Sequence, residues 1–123
     1  MNNFTSDEIS HHNEWPEELD AMVAAPQHHK LLLENNFVRV IDTLILPGET
    51  TNVHTHKWPA SLYIISWSDF IRYDEKANIV LDSRKLPKTP LPASTIWSDP
   101  LGPHALENIG SDPLHIISVE IKR

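Results

Sequence analysis

The chain contains no cysteine. Disulfides, zinc–thiolate sites, iron–sulfur clusters and a cysteine nucleophile are therefore excluded, and any metal must rest on imidazole, carboxylate, carbonyl or water. No run approaches the ~18 apolar residues of a membrane-spanning helix. The opening stretch MNNFTSDEISHHNEW has neither a basic start nor an apolar core, so no signal peptide or anchor is expected, and a cytoplasmic location is the default reading. Lys and Arg are missing from residues 1–25, which carry six acids: Asp7, Glu8, Glu14, Glu17, Glu18 and Asp20. The eleven other acids nearly balance ten Lys and Arg. With a net charge of −7 and no basic patch, nucleic acid is not an expected partner. The acidic arm reads as a solubilising segment, or alternatively as a tail that docks a partner.

At 123 residues the chain fits one domain with one core. The expected organisation is an acidic arm with a short helix over residues 1–29 and a β-barrel over residues 30–123. In the arm, Pro16 suits a first helical position, and Glu17 and Glu18 suit the positive end of a helix dipole. Trp15, Leu19, Met22 and Val23 then form one apolar stripe, ended by Pro26, that packs on the barrel or on a partner subunit. From residue 30 the signals are those of strands: residues 31–33, 37–46, 50–56, 62–66, 69–73, 79–81, 95–97, 105–108 and 114–121, rich in Leu, Val and Ile. Pro47-Gly48 marks a turn with Gly where φ is positive. Residues 74–78 read as a hairpin loop and the proline-rich 84–95 as a long irregular connection. Many short punctuated strands in one domain point to an all-β barrel.

Eight histidines are present. His11 and His12 fall in the arm and read as ordinary polar residues; His28 and His29 read as an exposed linker between helix and first strand. His115 alternates with Ile117, Val119 and Ile121, which places it as a core histidine or a partner to a metal ligand. His54 and His56 differ: on an extended segment, His-Thr-His projects both imidazoles from one face, the spacing for two ligands on one ion. Gly48 stands six residues before His54, and His104 follows a Gly102-Pro103 turn with Asn108 four residues later.

These residues resemble the two motifs of the cupin superfamily, Gly-x5-His-x-His followed by a Glu, and His-x3-Asn. The resemblance covers residues 30–123, and the strings Pro-Gly-Glu-Thr-Thr and Glu-Asn-Ile-Gly look like those of small single-domain bacterial cupins of the RmlC-like jelly-roll type. It implies a double-stranded β-helix and a metal held by His54, His56 and His104 at the open end of the barrel. The chain departs from the pattern at Ala60, where the family carries its metal-binding Glu, and at Ser66-Trp67-Ser68, where a closing Gly is usual. The expected site is therefore three neutral imidazoles. That set suits Fe, Ni, Zn or Cu, disfavours harder ions such as Mn(II), and leaves up to three positions open. Some thiol dioxygenases of the superfamily use such a site. An empty barrel with inherited histidines is the competing reading.

Trp58, Tyr63, Trp97 and His115 are expected around the site as pocket residues. Arg39, Arg72 and Arg84 lie on or near strands from which they can reach a carboxylate, and Glu107 and Asp42 are the unplaced candidates for a base. The expectation is a metal-dependent oxygenase, isomerase or lyase acting on a small molecule, with a non-catalytic ligand- or metal-binding module as the alternative. The helix stripe and the doubly apolar Leu31-Leu32-Leu33 further suggest a homodimer, since such a strand suits cover on both sides.

Overall fold

The computed structural model describes residues 15–123; His11, His12 and the acids of the arm through Glu14 lie outside the described residues. Among the described residues nine strands follow one another: β1 (His29–Glu34), β2 (Val38–Ile45), β3 (His54–His56), β4 (Ala60–Ser66), β5 (Phe70–Asp74), β6 (Ile79–Asp82), β7 (Thr95–Ser98), β8 (Leu101–Asn108) and β9 (Leu114–Ile121). They form two antiparallel sheets, one ordered β1-β2-β9-β4-β7 and the other β3-β8-β5-β6. This is the jelly-roll arrangement of an all-β double-stranded β-helix.

The inner faces are set by period-two alternation. On β9, Leu114, Ile116, Ser118 and Glu120 face the interior, while His115, Ile117, Val119 and Ile121 face out. The sequence suggested the reverse, because the outward set is the more apolar. The inward set carries polar residues because it serves a site as well as a core. Ile45, Phe70 and Leu114 form the core cluster, with Trp67, Leu81, Leu106 and Ile116 packed against it.

Asn108 fixes the closed end. It is fully buried; its Nδ2 donates to the carbonyls of Ile45 (2.8 Å) and Asp112 (2.9 Å), and its Oδ1 accepts from Ser68 Oγ and the Gly110 amide. Its side chain is thereby fully used, tying the ends of β2, β8 and β9 to the loop before β5. Gly110 is required beside it, since a Cβ there would stand 2.0 Å from Ser68 Oγ. Gly48 has φ +84°, as its turn demands.

Two local expectations are corrected. The predicted helix after Trp15 is a 3₁₀ turn (Glu17–Leu19) and a single helical turn, α1 (Ala21–Ala24), separated at Asp20 by extended backbone. The Asp20 carboxylate caps α1 through the Met22 amide and also binds Arg39, so tertiary pairing breaks the helix there. Gly102-Pro103 is not a turn but part of β8. Its neighbour β3 matches His54 to His104 and His56 to Leu101, so β8 carries one extra residue at that point. A bulge tolerates a proline, which has no N–H to give the ladder.

Candidate metal centre

The β3–β8 pairing sets His54 directly across from His104, with ring centroids 4.4 Å apart. His56 joins them from the same strand as His54, at 5.0 Å from His54 and 5.5 Å from His104. The structure thus brings together all three histidines of the two motifs. It also adds a fourth. His29 is no exposed linker residue: it opens β1, is 4% exposed, and lies 4.7 Å from His54 and 5.4 Å from His56. The possible ligand atoms of His29, His54 and His56 all fall within 4.8 Å of one another. Pairing of His29 with Thr43 on β2 turns its ring into the barrel, so the cluster is held by both sheets.

Hydrogen bonding fixes the tautomers. His29 Nδ1 donates to the Ala25 carbonyl (2.9 Å), His54 Nδ1 to Asn52 (2.7 Å) and His104 Nδ1 to Gly102 (2.7 Å). His56 Nδ1 donates to Glu120 Oε2 at 3.2 Å. A backbone carbonyl only accepts, as does the Glu120 carboxylate that Arg39 pairs, so the proton sits on Nδ1 and Nε2 keeps its lone pair. Among the described residues none of the four Nε2 atoms has a hydrogen-bond partner. Burial, and then the charge of neighbouring histidines, holds all four rings neutral: His54 is pushed down to about 2, His56 and His104 to about 3, and His29 to about 4. Neutral rings with Nδ1 tied outward are the state a metal-binding imidazole requires. The residues therefore fit a divalent transition ion, and an all-imidazole set suits Fe(II), Ni(II), Cu(II) or Zn(II).

Glu120 is the carboxylate that sequence reasoning did not find. It is 1% exposed and accepts from Arg39 Nε at 2.6 Å through the oxygen that His56 does not use. Burial pushes its carboxyl up from the ordinary value, against the pull of Arg39. Arg39 in turn makes a two-pronged pair with Asp20 (2.8 and 2.9 Å). A continuous buried chain thus runs from Asp20 at the cap of α1 through Arg39 and Glu120 to His56.

A cavity of about 130 Å³ opens beside the four rings, walled mainly by Trp58, Leu62, Trp67, Phe70, Leu101 and Ile116. Of the aromatic residues expected here, only Trp58 lines it. Tyr63 and Trp97 lie on the outer face of their sheet, 43% and 52% exposed, while Trp67, not foreseen, lines the cavity. His115 also faces out, bound to Asp42 at 2.8 Å, so neither is available to the cavity. Glu107 is likewise committed elsewhere, accepting from Tyr73 Oη at 2.7 Å.

No protein-family model matches the chain, and no curated protein matches its sequence. Solved structures do. A cupin domain from Bordetella pertussis Tohama I aligns with a TM-score of 0.61 at 14% identity, over 77% of this chain and 92% of that one. An RmlC-like cupin with a double-stranded β-helix fold from Methanocaldococcus jannaschii gives 0.52 at 16%, over 76% and 77%. A double-stranded β-helix protein from Klebsiella pneumoniae gives 0.51 at 16%, over 98% and 91%. The fold defined by the two sheets is the cupin fold. Identities this low establish the architecture and leave the chemistry to the site.

Proposed function

We propose that this is a metal-dependent cupin enzyme acting on a small molecule, with His29, His54, His56 and His104 holding one divalent Fe, Ni, Zn or Cu ion. The observation that carries this reading is the convergence of four neutral imidazoles, each anchored by Nδ1, at the wall of a largely apolar cavity. Four nitrogen donors leave about two positions of an octahedral ion for ligands. The ion would supply Lewis acidity, or redox chemistry toward oxygen if it is iron or copper. Oxygenase chemistry is the reading preferred over isomerase or lyase chemistry, because among the described residues the one carboxylate lining the cavity, Glu120, is held by Arg39 and His56. Elemental analysis of untagged protein tests the reading. Near-unit iron with substrate-dependent oxygen uptake supports an oxygenase, and absence of any bound transition metal at neutral pH removes the metal centre.

One observation favours a non-catalytic ligand- or metal-binding module as the second reading. The position where the cupin motif carries its carboxylate is Ala60, and a fourth histidine on the ion would leave fewer positions for substrate than the three motif histidines alone. Zinc held without turnover of any small molecule supports that alternative.

The protein is also proposed to be a homodimer, with a cytoplasmic location as the accompanying expectation. Support comes from the outer face of the five-stranded sheet. Leu33, Val40, Val119, Ser61 and Trp97 form one row in register across all five strands, and Tyr63 and Ile117 pair in the next. Leu31, Leu32 and Leu33 are 42–50% exposed on β1, which is the edge of its sheet. An exposed apolar edge beside an apolar face is a surface that a second copy of the chain would cover. The helical stripe contributes little: Trp15 packs on Gly102 of its own barrel, and Val23 points to solvent.

A further inference from the structure

The three arginines flagged by the sequence have different fates. Arg39 is consumed by Asp20 and Glu120. Arg84 pairs with Asp82 at the surface. Arg72 is different. It projects from β5 into the cavity of the histidine cluster, opposite Leu106, which stands two residues along β8 from His104. Among the described residues its side chain makes no hydrogen bond and no ion pair, and its Nε is buried without a partner. Its guanidinium carbon lies 6.0 Å from the centroid of the Phe70 ring. Burial alone pulls it down from its ordinary value, with no acid nearby to oppose that.

A guanidinium nitrogen withdrawn from water without an acceptor is costly; half-buried Arg72 holds its Nε in that state at the cavity wall, which marks a place where a ligand supplies the missing acceptor. The charge inventory agrees. Asp20, Arg39 and Glu120 carry one net negative charge between them, which Arg72 cancels. A divalent ion among neutral imidazoles then leaves two positive charges, and a carboxylate ligand offsets one of them. Size narrows the class further: a cavity of about 130 Å³ is close to one that holds benzene, a molecule of roughly six heavy atoms.

We propose that Arg72 is the substrate-recognition residue of this cavity, and that the ligand is a small carboxylate of about six non-hydrogen atoms. Its carboxylate pairs with the Arg72 fork, for which planar two-point geometry is the natural match. Its body lies against Phe70, Trp67 and Leu106. The inference deepens the metal-centre reading by naming the ligand class of the same site, and rests on it for the chemistry that follows binding.

The test is calorimetric titration of full-length protein, metal-free and zinc-loaded, with pyruvate, lactate and butyrate, and with lactamide as the uncharged control. At least one acid should bind the wild type and bind Arg72→Met about 10- to 100-fold more weakly, the loss expected of a charged hydrogen-bonded pair. Lactamide binding should be the same in both, and Arg72→Lys should recover part of the loss. Arg72→Met should also melt no lower than the wild type, because it removes an unpaired cation; a purely structural arginine would lower the melting temperature. Equal affinity of the acids for wild type and Arg72→Met, or no binding of any of the three, overturns the proposal. Zinc uptake separates the two ideas: Arg72-dependent acid binding by a protein that takes up no metal supports this inference and removes the metal centre.

Discussion

Glu120 on β9 stands directly across the ladder from Ala60 on β4. Where the cupin motif expects a carboxylate on β4, a small side chain leaves room, and the carboxylate comes instead from the neighbouring strand. It meets His56 through Nδ1, so in the proposed metal centre its part would be to orient the His56 ring and raise its basicity, not to bind the ion. Glu120→Gln tests this arrangement. An amide has one acceptor oxygen; if Arg39 keeps it, the NH₂ faces His56 Nδ1 and favours the tautomer whose Nε2 carries the proton. Metal affinity should fall about 10- to 100-fold with little change in fold. Nitrogen NMR of the His56 ring should show the proton move. Unchanged affinity would make Glu120 a purely structural partner of Arg39.

Ala60→Glu restores the family's carboxylate at a buried position lining the cavity. The variant should bind Mn(II) more tightly relative to Ni(II) and Zn(II), because a carboxylate favours harder ions. Without metal it should melt lower than the wild type, since the new charge is buried opposite Glu120. Competition titrations read the first effect and thermal melts the second. An unaltered metal preference means that the side chain at position 60 does not reach the ion.

His29 provides the sharpest comparison among the histidines. His29→Ala should weaken divalent-metal binding by an order of magnitude or more, as His54→Ala, His56→Ala and His104→Ala should. His115→Ala should leave metal content untouched, because His115 is bound to Asp42 on the outer face. Equal metal content in wild type and a His54/His56 double variant would remove the site altogether.

The strands and the paired motifs were legible because period-two alternation and the His-x-His spacing are local signals. His54 and His104 are brought together by antiparallel pairing of the two segments that carry the motifs. His29 was not legible, since its value comes from β1 crossing to the opposite sheet, which no spacing within residues 25–35 reports. Glu120 was hidden in an apolar strand whose more hydrophobic face turned out to be the outer one. The same inversion moved Tyr63, Trp97 and His115 out of the cavity. Arg72 could be flagged, but only the pairing of Arg39 and Arg84 with acids shows which arginine is left for a ligand.

The metal-free protein should be sensitive to acid in a specific window. The four clustered histidines have folded-state values of about 2 to 4, below the ordinary 6.5. Below pH 6.5 the unfolded chain therefore takes up protons that the folded chain refuses, and stability falls as pH falls. The loss continues down to the folded-state values, with a slope approaching four protons near pH 5. Thermal melts of the metal-free protein from pH 7.5 to 4.5 measure it, and a slope of one proton or fewer would mean that the rings are not held neutral. Zinc should raise the melting temperature at neutral pH and lose this effect on acidification, as protons compete for Nε2.

The dimer can be tested by choosing between two surfaces. If the five-strand row forms the interface, a charge at its end should dissociate the dimer while sparing the barrel. Trp97 is 52% exposed and Tyr63 43% exposed on that face, so neither belongs to the core of its own chain. Trp97→Asp with Tyr63→Glu should therefore convert a dimer into a monomer in light scattering at tens of micromolar, with metal content retained because neither residue lines the cavity. A form starting at Ala25 is the contrasting variant. It lacks Asp20, which leaves Arg39 and Glu120 with a broken network, and removing one partner of a buried ion pair costs about 3–5 kcal/mol. The truncated chain should thus melt lower yet remain dimeric through β1 and the outer face. Dimers that persist in the double variant and vanish on truncation would place the interface on the N-terminal segment; a wild type that is monomeric at these concentrations ends the dimer proposal.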